Sequence, residues 1–408
     1  MWKPLLAGDS RTRAELKIDE IAEILSSSVE NIENISLMGK AGGLALFFAY
    51  YGRYKNSDKH IDLCNDVLEK IIDLSNTIAI HYPFSMGISG ALWAIQHLCD
   101  NGFIETDFEE LFSEADEDIK NDMILNMQEG EHNYDFLRGS MGIAFYFLKR
   151  NNEKCDVYTE MFLEELTKSA ISDKDKMTVR WKSTIVGKES KVKQVYDFGL
   201  SHGMASIINF LSRYLQKRPD KGEYLKLLLG AINYFKEHVQ DPKIYQSYFP
   251  VWLELHESLP NPSRLAWCYG DLGIGISLFR AAKVLNDKKL EQYVLAILKY
   301  TASRVNPEAE LVTDAGLCHG AMGNALLFHR LFNETMVKEF EDAASHWYNV
   351  GLNMATYKNG LAGFNARMVK QAADVDYGFL TGIAGIGLAL ISAISDIEPK
   401  WDECMLIS

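Results

Sequence analysis

One pattern recurs seven times along the chain: a short loop with two glycines three residues apart, followed directly by a run in which nearly every position is apolar. The copies open at Gly39, Gly87, Gly139, Gly203, Gly270, Gly320 and Gly382 and lead into stretches such as LALFFAYY, IAFYFLKR and IGLALISAI. Only the fourth departs, with Ser206 where the second glycine belongs. Apolar residues this dense predict helices buried on most sides. The segments between, such as residues 57–74 and 287–305, space Ile, Leu and Val at i, i+3 and i+4 with charges between, which predicts surface helices packed by one face. The copies recur about every 57 residues, room for two helices of about 15–20 residues and their loops. Each repeat therefore reads as a helical hairpin. Together they predict an all-α fold, an α/α toroid or barrel with seven inner helices inside an outer ring of seven; an open solenoid is the alternative. Residues 1–408 are expected to form this one domain, with the seven loops gathered at one end where a site can be assembled from several repeats.

The long interval between the third and fourth copies breaks the helical period. Residues 173–196 alternate Val179, Trp181 and Thr184-Ile185-Val186 with polar positions and then turn at Gly187–Ser190, which predicts a small β-rich insertion. The insertion concentrates Lys174, Lys176, Arg180, Lys182, Lys188, Lys191 and Lys193, as either a solvated excursion or a face that docks a partner.

That basic cluster stands against the rest of the chain. Across 408 residues, 42 Lys and Arg face 56 Asp and Glu, a net charge of −14 that repels nucleic acid and anionic membrane, so no nucleic-acid partner is expected. With 47% hydrophobic and 24% charged residues the composition is that of an ordinary folded globular protein. The N-terminal sequence has no apolar stretch of signal-peptide length and no uncharged run approaches a membrane span, so a cytoplasmic location with at most peripheral membrane association is expected. Six cysteines without a secretory signal then point to thiols, a metal site or catalysis rather than a disulfide framework.

Their register in the repeat selects among these. Cys268 lies two residues before Gly270, and Cys318 two before Gly320; His319 directly precedes Gly320, as His202 precedes Gly203. If the fifth and sixth loops are neighbours, Cys268, Cys318 and His319 form a Cys₂His set that favours one Zn²⁺ per chain. Three protein ligands leave a fourth position open, as catalytic zinc sites do. A single buried cysteine is most often inert, and Cys64, Cys99, Cys155 and Cys404, which share no such register, read as packing residues. Asp135, four before Gly139, and Arg264, four before Cys268, can reach the same rim. Asp271 and Asp314 sit beside glycine turns, where an acid is usually a cap or turn former, and are left out of the site. The glycine loops match neither a phosphate-binding loop nor a dinucleotide fingerprint.

At WCYGDLGIG, LCHGAMGN and SHGMAS the chain resembles the lanthionine synthetase C-like family of peptide cyclases. The likeness covers all seven loops, the three zinc ligands, His202 at the family's active-site histidine, Asp135 and Arg264 at matching offsets, and a WDE-type C-terminal ending. It implies a zinc-dependent cyclase that adds cysteine thiols to dehydroalanine or dehydrobutyrine, forming lanthionine and methyllanthionine thioether rings in a ribosomally made precursor with leader and core. A lantibiotic dehydratase and an exporter are the implied partners. In that chemistry His202 protonates the α-carbon; Asp135 orients it or handles the thiol's proton, and Arg264 stabilises the enolate oxygen or holds the acid. The same family offers a second reading, addition of glutathione to dehydroamino acids. Outside it stand a prenyltransferase-like enzyme, which needs a carboxylate zinc ligand, a glycosidase, which needs paired acids, and a non-catalytic zinc-stabilised peptide-binding barrel.

Overall fold

A computed structural model of the chain describes residues 1–77, 81–105, 109–128, 133–150, 152–186, 192–255, 261–365 and 376–408. In chain order its principal helices are α1 (Gly8–Ser28), α2 (Ala41–Lys55), α3 (Asp58–Ser75), α4 (Ile88–Asp100), α5 (Glu109–Gln128), α6 (Ser140–Arg150), α7 (Glu153–Ser169), α8 (Met204–Lys217), α9 (Gly222–Glu237), α10 (Pro242–Tyr245), α11 (Asp271–Val284), α12 (Lys288–Ala302), α13 (Ala321–Thr335), α14 (Lys338–Asn353) and α15 (Ile383–Ile394). The strands are β1 (Ile171–Asp173), β2 (Thr178–Arg180), β3 (Ser183–Val186), β4 (Val192–Asp197) and β5 (Trp252–Glu254).

Each glycine loop leads into the expected buried helix. In α2 every residue from Ala41 to Gly52 is buried, and in α15 every residue from Ile383 to Ile394. The helices between bury one stripe only: α3 hides Cys64, Val67, Leu68 and Ile71, and α14 hides Phe340, Ala343, Ala344, Trp347, Tyr348, Gly351 and Leu352. That is the i, i+3, i+4 spacing of a helix lying on a core. Close approach explains the second glycine of the loops. A β-carbon at Gly90, Gly273, Gly323 or Gly385 would run into the backbone carbonyl six residues back, that of Phe84, Trp267, Leu317 or Phe379. At Ser206 the side chain is accommodated and donates to the Gly203 carbonyl at 2.6 Å.

The chain divides into two compact units. One comprises Met1–Glu114 and Ala302–Ser408, the other Ala115–Thr301. In the first, α2 packs on α3 and α13 on α14, and the inner helices follow one another as α13, α15, α2 and α4. The last inner helix thus lies against the first, a contact an open solenoid lacks, and α1 supplies the outer partner of α15. In the second unit α6 packs on α7, α8 on α9, and α8 lies between α6 and α11. This unit also carries the strands: β1 pairs antiparallel with β2, while β3, β4 and β5 form an antiparallel sheet in that order. Trp181, between β2 and β3, is fully buried and ties the insertion to the helices through an Nε1 hydrogen bond to the Leu166 carbonyl at 2.8 Å. The expected turn at Gly187–Ser190 lies outside the described residues, as do Lys188 and Lys191. Strand β5, which the sequence pattern did not signal, completes the sheet through the register Tyr196 with Leu253.

Candidate metal centre and acid–base site

Backbone hydrogen bonds join successive glycine loops and set the positions of the candidate residues. In the first unit Leu317 and Cys318 donate their amides to the Leu380 carbonyl at 2.9 and 3.0 Å, and Phe379 and Leu380 donate to that of Met38 at 3.2 Å each. In the second unit Leu200 and Ser201 donate to the Cys268 carbonyl at 2.9 and 3.3 Å. The last pair places His202 beside Tyr269, their ring centres 6.1 Å apart.

Cys318 and His319 lie on the loop that leads into α13 in the first unit, and Cys268 on the loop that leads into α11 in the second. The donor set fits zinc, with soft sulfur and borderline nitrogen and no competing hard carboxylate. The His319 Nε2 faces Asp314 Oδ2 at 3.2 Å.

His202 and Asp135 meet in the second unit, with Nδ1 and Oδ2 2.6 Å apart. The other oxygen of Asp135 accepts the amides of Leu137 and Arg138 at 2.7 and 2.8 Å, which holds the carboxylate at the entrance to α6. Burial on its own pulls the His202 imidazole downward, but the hydrogen bond and charge of Asp135, with Asp197 behind, outweigh it and raise the pKa above its ordinary value. The pair lines a cavity of about 460 Å³ together with Tyr134, Arg138, Lys182, Thr184, Asp197 and Tyr269. A chemical acid backed by a carboxylate and open to a cavity can deliver a proton to a bound substrate.

Arg264 is half-buried in the segment before Cys268, and its carbonyl occupies the space a β-carbon at Gly270 would need, where φ is +110°. It is not among the described residues that line the His202 cavity. Tyr269 and Asp197 are among the cavity residues that the sequence pattern did not single out. Tyr269 follows Cys268 directly, and its hydroxyl faces Asp197 Oδ2 at 3.4 Å. Asp197 is fully buried; burial lifts its carboxyl to about 7, against the opposing pull of the Gly199 amide and His202. The available signal for Asp197 was its place six residues before a repeat glycine, shared with Asn133, Asp314 and Asp376. Cys64, Cys155 and Cys404 are buried in packing positions, and Cys99 is half-buried.

The family model described as lanthionine synthetase C-like protein matches residues 32–406. Among solved structures, nisin cyclase superposes with a TM-score of 0.73 over 95% of this chain and 96% of its own, at 19% identity. A sugar epimerase from a ruminal bacterium (8% identity, 94% and 98% coverage) and cellobiose 2-epimerase from Bacillus thermoamylovorans B4167 (11%, 90% and 89%) reach only 0.45 and 0.44, too low to bear on the fold. The fold is thus the helical toroid that the repeats predict, with few and short strands. With almost its full length matched, the chain belongs to the lanthionine synthetase C-like protein family.

Proposed function

We propose that this protein is a cyclase that adds a cysteine thiol across the double bond of a dehydroalanine or dehydrobutyrine residue in a peptide, forming a thioether. The observation that carries the reading is the presence, in a chain of this family, of a carboxylate-backed histidine open to a cavity. One zinc ion held by Cys268, Cys318 and His319 would supply the positive charge that makes the incoming thiol a thiolate near neutral pH. The sulfur then bonds to the β-carbon and the π pair moves toward the α-carbon and its carbonyl. His202, with Nδ1 engaged by Asp135, carries the transferable proton on Nε2 and delivers it to the α-carbon. The proton lost by the thiol restores His202, so the reaction is an isomerisation with no net proton change. Arg264 is assigned to the enolate oxygen or to holding Asp135.

The substrate is assigned as a ribosomally made precursor, dehydrated by a partner enzyme in the cytoplasm and passed afterwards to an exporter. No helix among the described residues is long and apolar enough to cross a membrane. The basic insertion contributes less free charge than its sequence suggests. Lys176 pairs with Glu237, Lys193 pairs with Glu254 at 2.8 Å, and Arg180 lies over the rings of Tyr196 and Tyr234. Lys182 and Arg138, which line the cavity itself, are the cations best placed to draw in an acidic stretch of the peptide.

The test is to incubate a dehydrated, cysteine-containing peptide with the protein and count alkylatable thiols by mass spectrometry. Thiols should disappear with no change in peptide mass. A gain of one glutathione, in its presence, would favour intermolecular addition, and thiols that persist under both conditions would overturn the assignment. His202→Asn should keep zinc and peptide affinity while losing roughly 10²–10⁴-fold in turnover. Loss of zinc in that variant would instead place His202 among the metal ligands.

A further inference from the structure

Four of the seven glycine loops share a turn. Asn133, Asp197, Asp314 and Asp376 each lie six residues before the first glycine of their loop, and in each the Oδ1 atom accepts the amide of the residue two positions on. Those distances are 3.3, 2.7, 2.9 and 2.7 Å. Asn133 makes this turn with an amide, so the turn itself needs no carboxylate. Where an aspartate is present, its second oxygen does something else: Asp376 Oδ2 accepts from the Thr381 hydroxyl, and Asp197 Oδ2 from that of Tyr269. In Asp314 the second oxygen faces His319 Nε2 at 3.2 Å, with both side chains less than a tenth exposed.

From this we infer that Asp314 is a positioning residue of the metal centre: it accepts the Nε2 proton of His319 and so fixes the tautomer whose Nδ1 lone pair is available to zinc. The inference rests on the metal reading given under the proposed function. A buried histidine ring without such an acceptor can place its proton on either nitrogen, and the tautomer protonated at Nδ1 cannot bind metal through that atom. A carboxylate on the remote nitrogen also raises the basicity of the ligating one, and removal of such partners typically weakens metal binding by about 10–100-fold. The turn anchors the carboxylate, because Oδ1 is held by Gly316 and sits where a β-carbon at Gly320 would go. Loop shape and ligand orientation are thereby set by one side chain.

Asp314→Asn separates the two roles, since an asparagine carbonyl keeps the turn while its NH₂ group meets Nε2 as a donor. Zinc stoichiometry and affinity should be measured by competition with a chromophoric chelator for the unmodified protein, for Asp314→Asn and for Asp376→Asn. The last changes the same turn where the second oxygen serves Thr381. Asp314→Asn should bind zinc about 10–100-fold more weakly, and Asp376→Asn as tightly as the parent. Equal affinity in Asp314→Asn and the parent would overturn the inference and leave the metal site standing. A parent without stoichiometric zinc would overturn both. If Asp314→Asn fails to fold by circular dichroism, nitrogen-15 histidine spectra of the zinc-loaded parent decide: His319 protonated at Nε2 supports the assignment, and metal on Nε2 refutes it.

Discussion

At the scale of single residues, the pairing of His202 with Asp135 makes a pH-dependent prediction. The imidazole pKa is raised in the folded protein, so the folded state holds the proton more tightly than the unfolded chain does. The pair's contribution to stability is therefore fully present below the unfolded value of about 6.5 and is lost as the pH rises through the higher folded value. Asp135→Asn keeps an oxygen for the amides of Leu137 and Arg138 but removes the charge. Denaturant unfolding should show a larger loss at pH 6 than at pH 9, and the alkaline limb of turnover should move to lower pH. Equal losses at both pH values would mean that Asp135 acts on the loop alone. The sequence singled out His202, Cys268, Cys318 and His319 through the register of the repeat: a cysteine two before a glycine, or a histidine one before it, must occupy the same place in each loop. It could not show the second oxygens of Asp197 and Asp314. An aspartate beside a glycine turn does form the turn, as read, but where its other oxygen points depends on Tyr269 or His319, a tertiary fact absent from local spacing.

At the scale of elements, the repeat was legible because its glycines answer to backbone rather than to side chains. Gly385 lies against the Phe379 carbonyl, which cannot turn aside as a rotamer can. Gly385→Ala should cost about 1–3 kcal/mol, the range for overpacking a close contact. Gly222→Ala, at the start of α9 with open space around the added methyl, should be neutral or slightly stabilising. Thermal melts of the two variants compare them directly, and a Gly385→Ala melt matching that of Gly222→Ala would mean that the loop is slack. Strand β5 was not legible because its three residues, Trp252–Glu254, carry too short an alternation to register as a strand. Its pairing with β4 comes from chain folding over more than fifty residues, since Val195 meets Glu254. The helical period survives such interruptions because each hairpin buries its own stripe.

At the scale of the whole molecule, the two ends of the chain meet in one unit, and a single arginine serves both. Trp2 donates its indole N–H to the Ser392 carbonyl at 2.8 Å, and Leu5 and Leu6 donate to that of Ala393, which fixes the start of the chain along α15. At the other end Trp401 is fully buried edge-on against Phe379. Arg330, on α13, lies between them. Its guanidinium sits 4.7 Å from the Trp2 ring, contacts Asp402 at 2.9 Å and Glu398 at 2.7 Å, and donates to the Pro399 carbonyl. This assigns the WDE ending a structural role, since Asp402 is fully buried and its charge is met by Arg330. Arg330→Met would preserve much of the side-chain volume but withdraw the cation from buried Asp402, a change that typically costs about 3–5 kcal/mol. The expected outcome is a lowered melting temperature with early proteolytic cleavage near both termini, because both lose the same anchor. A variant that unfolds with the parent, or that loosens at one end alone, would show that the two ends are held independently.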